Sequence, residues 1–286
     1  QLFQGGDVQF GAHHTSPSLD QGWDSAIFHP TATRLLWSSA IYHAIQKGMC
    51  TVSFISQGES YWITSNRDEH ISRPSAHKPN EERIGKVKVL FPKDPKAGGT
   101  WFALKEDGAV AVLLNGAFVN HASNGKYAKS RGLVLLDIIA SEEPFVFLQE
   151  MDLYRIEPFT LVLFHKKLLE FRWDGHQKYF KPLDPQENHI WSSATLYHDD
   201  VIAHRKQLFE KFMANTNAVS FEKILDFHSN NQSDFENGFI IDRETGLKTF
   251  SVTQVVLNSD GTTMRHLDLR NDRSFQVPFT SNQLTL

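Results

Sequence analysis

MCTVSFISQGESYWITSNRDE, residues 49–69, predicts a β-hairpin and holds the only cysteine of the chain, Cys50. Two runs rich in β-branched and aromatic residues, 51–56 and 61–65, flank a polar Gln-Gly-Glu-Ser segment. This spacing is typical of two antiparallel strands joined by a short turn. In such a pair the start of the first strand lies beside the end of the second. Cys50 is therefore expected close to the polar run Asn66-Arg67-Asp68-Glu69, which we expect to end the second strand.

The order Met49-Cys50 followed by a strand is the pattern of an N-terminal nucleophile. Removal of the methionine would leave a free α-amine on Cys50, with an ordinary pKa of about 7.7–8.0, close to that of a thiol at about 8.5. That amine could act as the base for the thiol, while Arg67 and Asp68 hold the amine and orient the thiol. The alternatives are that Cys50 is a small buried hydrophobic residue and that the charged run is an ordinary transition from strand to loop.

Composition places the chain among ordinary globular proteins and excludes several classes of function. The 286 residues are 40% hydrophobic and 22% charged, with a net charge of −4 and a pI of about 6.4. No basic surface for nucleic acid or an anionic membrane is expected from this balance. One cysteine excludes an internal disulfide and a cysteine-cluster metal site. The sequence contains no apolar run of about 18 residues, so no transmembrane helix is predicted. Without a secretory signal pattern at the N-terminus, the sequence predicts a cytoplasmic protein.

The chain divides at residue 49. Residues 1–48 mix Gly, His, Ser and Pro without a sustained period, and only residues 33–46 could form a short helix. We expect this segment to be an extension: a tag, an upstream translation or a loosely attached piece. No linker-like break follows, so residues 49–286 are predicted to form a single domain.

Beyond the first hairpin the pattern predicts strands, then helices, then strands again. Residues 78–96 look like a long charged loop around one strand at 86–91. The remaining predicted strands are 101–104, 109–114, 159–164, 168–173, 249–257, 263–268 and 274–277, and the predicted helices are 130–141, 144–153, 199–214 and 221–227. This order favours an α+β protein with layered, mainly antiparallel sheets.

Asn115 ends the apolar run 109–114 and is the third polar residue of interest. A side-chain amide there could donate a hydrogen bond to an oxyanion, or could simply be a turn residue before Gly116. The fourteen histidines follow no zinc or iron ligand spacing, and no glycine-rich phosphate loop occurs. We therefore predict no metal site and no cofactor.

These motifs together resemble the Transport and Golgi organisation family, also called NRDE-motif proteins. The signature residues are Asn66-Arg67-Asp68-Glu69, SRP at 72–74, GGTWFAL at 98–104 and KSRGLVL at 129–135. The resemblance covers Met49 to the C-terminus and is strongest up to Gly132. It implies the αββα four-layer sandwich of N-terminal nucleophile hydrolases of the cholylglycine hydrolase and penicillin V acylase type.

The resemblance also implies roles for individual residues. Cys50 would be the nucleophile, Arg67 and Asp68 the groups around it, and Asn115 a donor of the oxyanion hole. The reaction would be hydrolysis of a C–N amide or acyl bond in a small molecule. Substrate binding is placed at four further residues: Asn66, Trp101, Ser193 and Lys248. Ser193 stands where related acylases carry an asparagine, and Lys248 stands where they carry an arginine.

A second class of function is implied by the eukaryotic members of this family. They are linked to Golgi organisation, lipid and acyl-CoA metabolism, and haem trafficking. The alternative to a hydrolase is therefore a non-enzymatic cytoplasmic binding or trafficking protein on the same fold, with haem or a lipid-linked molecule as its ligand. Fold does not decide between the two.

Overall fold

The computed structural model describes residues 49–121, 125–195 and 197–279, apart from the side chains of Met49 and Cys50. Residues 1–48, with the helix predicted at 33–46, lie outside the described residues. The strands are β1 (Met49–Gln57), β2 (Ser60–His70), β3 (His77–Ile84), β4 (Val87–Lys93), β5 (Phe102–Lys105), β6 (Val110–Asn115), β7 (Phe159–His165), β8 (Lys167–Trp173), β9 (Lys178–Leu183), β10 (His189–Ser192), β11 (Leu247–Asn258), β12 (Gly261–Asp268) and β13 (Arg273–Phe279). The helices are α1 (Arg131–Ala140), α2 (Pro144–Glu150), α3 (Asp199–Ala214) and α4 (Phe221–His228).

Two antiparallel sheets contain all of these strands. The six-stranded sheet has the order β10-β1-β2-β11-β12-β13, so β2 lies in its interior between β1 and β11. The seven-stranded sheet runs β3-β4-β5-β6-β7-β8-β9, each strand pairing with the next along the chain. The first hairpin therefore contributes two strands to the six-stranded sheet, and the NRDE run lies inside that sheet.

Three apolar layers show that the sheets are stacked between helices. The first lies between the two sheets and joins Val52 and Phe54 of β1 to Phe102 of β5 and Val112 of β6. The second packs α1 and α2 on the outer face of the seven-stranded sheet. The third packs α3 and α4 on the outer face of the six-stranded sheet, where Phe209 and Phe227 are buried. The αββα four-layer sandwich expected from the resemblance is confirmed.

Strand β6 has apolar residues on both faces because it lies between two of these layers. Val110 and Val112 pack between the sheets, whereas Ala111 and Leu113 pack beneath the helices. This explains why its sequence reads as a nearly continuous apolar run instead of an alternating one. Asn115 ends the strand.

Apart from differences of up to three residues at their ends, as in the helix predicted at 144–153 that ends at Glu150, the predicted elements agree with the structure except at three places. Residues 78–96 are not a loop around one strand but the hairpin of β3 and β4, which turns at Gly85 with φ of 61°. Strands β9 and β10 had no clear sequence pattern and were not predicted. The NRDE run does not end β2, because the strand continues to His70.

Strand β3 was missed because it is an edge strand. Its sequence, HKPNEERI, contains a proline and four charged residues, and only Pro79 is buried. Edge strands tolerate proline and charge, since one side of the ladder faces solvent. The periodicity that identifies a half-buried strand is therefore absent there.

The glycines of GGTW and KSRG bring two distant segments together. A Cβ atom on Gly99 would lie 2.4 Å from the carbonyl carbon of Gly132, closer than any side chain permits. Only glycine therefore allows the backbone before β5 to touch the first turn of α1. Ser130 caps this helix by accepting a hydrogen bond from the Leu133 N–H. The contact places the start of α1 beside Trp101 and the polar end of β2.

Candidate active site

The register of the first hairpin places Cys50 directly opposite Arg67 and Met49 directly opposite Asp68. Opposed Cα atoms in an antiparallel pair lie about 4.5–5.5 Å apart. The closeness of Cys50 to the NRDE run, expected from the sequence, is thus a feature of the backbone. Both Arg67 and Asp68 are buried, with 3% and 1% of their surface exposed.

A buried ion cluster surrounds Arg67. Its Nη2 donates to Asp94 Oδ2 at 2.8 Å and to Glu69 Oε1 at 3.2 Å. Arg73 completes the cluster, with Nη2 2.5 Å from Asp94 Oδ2 and Nε 3.5 Å from Glu69 Oε2. Burial raises the pKa of Glu69, although Arg67 and Arg73 oppose the shift. Burial acts in the same direction on Asp94, but its bond from the Ala97 N–H and the pairing with Arg73 hold its pKa below the usual range. The cluster contains two cations and two carboxyl groups.

A cavity of about 450 Å³ opens beside this cluster. One wall is formed by Gly99, Thr100 and the first residues of α1, and another by residues 127–129. The polar residues of interest that line it are Arg67, Asp68, Glu69, Trp101 and Asn115. The guanidinium carbon of Arg67 lies 4.6 Å from the centroid of the Trp101 ring, so these two side chains stack. The cavity thus joins β2 to the motifs at 98–104 and 129–135.

Buried polar atoms without a hydrogen-bond partner are concentrated at this cavity. Among the described residues ten such atoms occur, and five belong to side chains that line it. They are Arg67 Nη1, Asp68 Oδ2 and Trp101 Nε1, together with Glu69 Oε2 and Arg73 Nε, which lack a hydrogen bond but form the 3.5 Å ion pair with each other. Native proteins leave few buried polar groups without a partner, and a catalytic or binding role is one explanation for a cluster of them. The cavity is therefore the candidate active site.

Asp68 has the most unusual carboxyl environment of the site. Complete burial raises its pKa to about 6, against the lowering effects of the hydrogen bond from Thr249 and of the charges on Arg205 and Arg243. The Thr249 hydroxyl donates to Asp68 Oδ1 at 2.6 Å, whereas Oδ2 has no partner. A carboxyl group that titrates near neutral pH can exchange a proton at working pH.

Arg205 of α3 supports the site from the helix side, and the sequence offered no signal for it. Its side chain is 1% exposed and donates to Thr51 Oγ1 and to Tyr197 Oη, both at 2.6 Å. It also donates to the carbonyls of Asn237, at 3.0 Å, and Gly238. Thr51 follows Cys50 directly, so Arg205 holds the residue next to position 50. An arginine in an amphipathic helix is normally read as a surface residue, which is why it was missed.

Comparison with known proteins identifies the family. The sequence profile of Transport and Golgi organisation 2 matches residues 49–265. The protein belongs to the Transport and Golgi organisation 2 family. A comparison of this sequence with curated proteins gave no match.

Solved structures similar to this family member identify its fold type. A cysteine-to-alanine mutant of the conjugated bile acid hydrolase from Clostridium perfringens superposes with a TM-score of 0.54 at 8% identity, over 82% of this chain and 94% of that chain. An arginine-to-leucine variant of the same hydrolase gives a TM-score of 0.50 at 8% identity, again over 82% and 94%. The family member therefore has the fold of the N-terminal nucleophile hydrolases.

Of the predicted substrate-binding residues, only Trp101 lines the cavity. Asn66 is fully buried on the helix side, where its Nδ2 donates to the carbonyls of His228 and Phe239 at 2.8 and 2.9 Å. Lys248 pairs with Glu69 in register, but its Nζ lies 2.8 Å from Asp242 Oδ1 near the surface. The structure thus gives Asn66 and Lys248 packing and surface contacts, and their roles toward a substrate stay predictions.

Ser193 and Asn115 are brought together although 78 residues separate them. Ser193 Oγ donates to the Asn115 carbonyl at 2.6 Å and lies 3.0 Å from Thr195 Oγ1. Ser193 is 1% exposed and does not line the cavity, whereas Asn115 does. Ser193 therefore positions the end of β6, and the role of Asn115 as an oxyanion donor stays a prediction.

Ser53, His228 and Asn66 form a row that resembles a nucleophilic triad but has no access to solvent. Ser53 Oγ lies 2.7 Å from His228 Nε2, and His228 Nδ1 lies 2.5 Å from Asn66 Oδ1. All three residues are 0% exposed. Burial and the charge of Arg205 lower the pKa of His228 to about 3, so the ring is neutral. The row joins α4 to the first hairpin.

The described residues contain no group of three histidine, cysteine, aspartate or glutamate side chains suited to a metal ion. Within the same residues, every helix is too short or too polar to cross a membrane.

Asp68 gives this family member a testable pH dependence. Its pKa is about 6 in the folded protein, compared with 3.8 for an ordinary aspartate. Between these values the unfolded chain has lost the proton and the folded chain retains it, so the contribution of Asp68 to stability falls as pH rises. The fall is of order 3 kcal/mol between pH 4 and pH 7.

Asp68→Asn should remove this dependence. The free energy of unfolding of the parent minus that of Asp68→Asn, both measured by urea unfolding, should then fall by about 3 kcal/mol between pH 4 and pH 7. Thr249→Val removes the bond that lowers the Asp68 pKa, so the decline should extend to higher pH. A constant difference between the parent and Asp68→Asn across this range would contradict the assignment.

Proposed function

We propose that this protein is an N-terminal nucleophile hydrolase that cleaves a C–N amide or acyl bond of a small molecule, with Cys50 as nucleophile. The observation that carries the proposal is the β1–β2 register, which sets Cys50 opposite Arg67 and Met49 opposite Asp68. Opposed residues of an antiparallel pair share a face of the sheet, so position 50 is assigned to the face of Arg67. Arg67 lines the cavity. The shared fold with a bile acid hydrolase supports the proposal at the level of architecture.

The proposed reaction needs a chain that begins at Cys50. The free α-amine takes the thiol proton, and the thiolate attacks the carbonyl carbon to form a tetrahedral intermediate. The ammonium then returns the proton to the leaving nitrogen, the C–N bond breaks and an acyl-enzyme remains. Water, deprotonated by the same amine, attacks the thioester, and the acid leaves as the thiol is restored. Asn115 is the proposed donor to the oxyanion.

Asp68 is the proposed partner of the α-amine. The register puts residue 49 opposite Asp68, so removal of residue 49 would leave the new amino group next to this carboxyl group. Asp68 Oδ2 is buried without a partner and can accept a hydrogen bond from the ammonium. That ion pair would lower the pKa of Asp68 from its value of about 6. Arg67, which lies opposite Cys50 in the register, is proposed to stabilise the thiolate through its positive charge.

Two parts of the proposal concern the whole chain. Residues 49–286 are proposed to be the single functional domain, and residues 1–48 an extension that is absent from the active form. The proposed place of action is the cytoplasm.

The proposal is tested by comparing two chains that differ by one residue. One begins at Cys50, released from a cleavable tag, and the other keeps a glycine before Cys50. Intact mass establishes both N-termini. We expect the chain that begins at Cys50 to react with iodoacetamide at pH 7 about tenfold faster than the chain with the extra glycine. Only the chain that begins at Cys50 is expected to release amine from a panel of N-acyl amides. Equal labelling rates and no turnover in either chain would contradict the hydrolase. Ligand binding by both chains would then favour the haem or lipid-linked binding protein.

A further inference from the structure

We infer that Arg67 Nη1 and Trp101 Nε1 form a pair of donors for the carbonyl oxygen of an uncharged amide ligand. The inference deepens the proposed function, because the two side chains line the cavity in which Cys50 is proposed to act. It names the group of the substrate that is recognised and the two atoms that recognise it. Binding through this pair does not require turnover, so the two proposals can fail separately.

Both donors are buried and have no hydrogen-bond partner among the described residues. Arg67 is 3% exposed and Trp101 is 6% exposed, and neither Arg67 Nη1 nor Trp101 Nε1 has an acceptor within that part of the chain. An unpaired buried N–H group is unfavourable, and most indole N–H groups in protein interiors find a partner. Trp173 and Trp191 of this chain follow that rule, since they donate to Ile156 O at 2.9 Å and to Glu170 Oε2 at 2.7 Å. Trp101 is the exception among these three, and it is the one at the cavity.

The side chains that carry the two donors are stacked on each other. The Arg67 guanidinium carbon lies 4.6 Å from the centroid of the Trp101 ring. Nη2 of the same guanidinium is fixed by Glu69 and Asp94, which prevents the group from turning Nη1 away. Gly99 and Gly132 fix the backbone before β5 by direct contact, and with it the position of Trp101. A carbonyl oxygen with two lone pairs can accept from both donors, and the third lone pair that it gains as an oxyanion is then available to Asn115.

The charge of the surroundings favours a neutral acceptor. Arg67 and Arg73 are already paired with Glu69 and Asp94, so the ion cluster has no excess of positive charge. The other two cations of the lining, Lys129 and Arg131, are paired with Asp137 and Glu157. A carboxylate ligand would add a third anion to two cations in a buried place, which is unfavourable. An amide carbonyl accepts the same two hydrogen bonds without adding charge.

The test measures binding by the resonances of the tryptophan indole N–H groups. The full chain, labelled with ¹⁵N-tryptophan, is titrated separately with butyramide, butyrate and butylamine, which share a carbon chain and differ in the polar group. Butyramide is expected to shift the signal of Trp101, identified by its loss in Trp101→Phe, and to leave that of Trp173 in place. Butyrate is expected to bind more weakly, and butylamine, which lacks an acceptor oxygen, is expected to cause no shift.

Two matched variants separate recognition from folding. Trp101→Phe keeps an aromatic ring over Arg67 but removes the unpaired N–H together with part of the indole, so butyramide should bind about fivefold more weakly. Thermal stability should fall less than in Trp173→Phe, which loses the same volume and a hydrogen bond as well. Trp173→Phe leaves the Ile156 carbonyl unpaired, so it should lower thermal stability and leave butyramide binding unchanged.

Three outcomes would overturn the inference. They are an unshifted Trp101 signal with butyramide, parent-like butyramide affinity in Trp101→Phe, and tighter binding of butyrate than of butyramide. A shifted Trp101 signal in a chain that hydrolyses no amide would keep the donor pair and remove the proposed function.

Discussion

Cys50→Ala, made in the chain that begins at residue 50, is expected to abolish amide hydrolysis, with kcat/KM at least about 10³-fold lower. No second cysteine exists to replace the thiol, and the α-amine alone forms no acyl-enzyme with an amide at a useful rate. Cys50→Ser should retain a trace of turnover, because a hydroxyl is a much weaker nucleophile at neutral pH. Mass spectrometry should detect an acyl adduct on the parent and none on Cys50→Ala.

The matched control for this variant is Ser56→Ala, at the other end of the same strand. Ser56 pairs with Tyr61 next to the hairpin turn, away from the cavity, so its replacement should leave kcat/KM unchanged. Circular dichroism and thermal unfolding should be alike for the parent and both variants. A Cys50→Ala protein that keeps more than about a tenth of the parent rate would show that the nucleophile lies elsewhere.

Arg205→Met is expected to destabilise the protein by about 3–5 kcal/mol, because it breaks a buried polar network. The arginine is 1% exposed and bonds to Thr51, Tyr197 and two backbone carbonyls. Methionine fills a similar volume but donates no hydrogen bond, so the four acceptors lose their partner in the protein interior. Urea unfolding measures the loss as a lower midpoint.

Lys206→Met provides the control on the same helix. Lys206 and its neighbour Glu210 are 69% and 62% exposed, and their Nζ to Oε1 distance is 3.8 Å. Removal of a surface pair of this kind should change stability by less than about 1 kcal/mol. If Arg205→Met also loses less than that, the Arg205 network does not stabilise the fold.

Arg205 also connects stability to the proposed chemistry. Its bond to Thr51 holds the residue after Cys50, and its charge lowers the pKa of Asp68. Through these contacts Arg205 is a positioning residue for the proposed nucleophile and its amine, and it does not contact the substrate. Its replacement should therefore raise the pKa of Asp68 further and shift the pH dependence of thiol labelling.

Strong local patterns predicted much of the fold correctly. The first hairpin was predicted because both strands are rich in β-branched and aromatic residues and a glycine-containing turn joins them. Helix α3 was predicted with its observed ends, Asp199 and Ala214, because it has acidic residues in its first turn and an apolar stripe. Strand β3 carries almost no apolar residue, since it lies at an edge, and β10 is four residues long. Neither has enough buried surface to produce a pattern.

The sequence by itself determined the register that pairs Cys50 with Arg67, because this register depends on a hairpin whose turn and strand lengths are local. The motif at 66–69 and the glycines at 99 and 132 likewise pointed to one family and one fold. Only the tertiary structure decided that Arg205 lies behind Thr51, that Thr249 bonds to Asp68 and that Asp94 holds Arg67. Each of these contacts joins residues 27 to 181 positions apart. Such pairs depend on how sheets and helices pack, and packing leaves no periodic signal in the residues that it brings together.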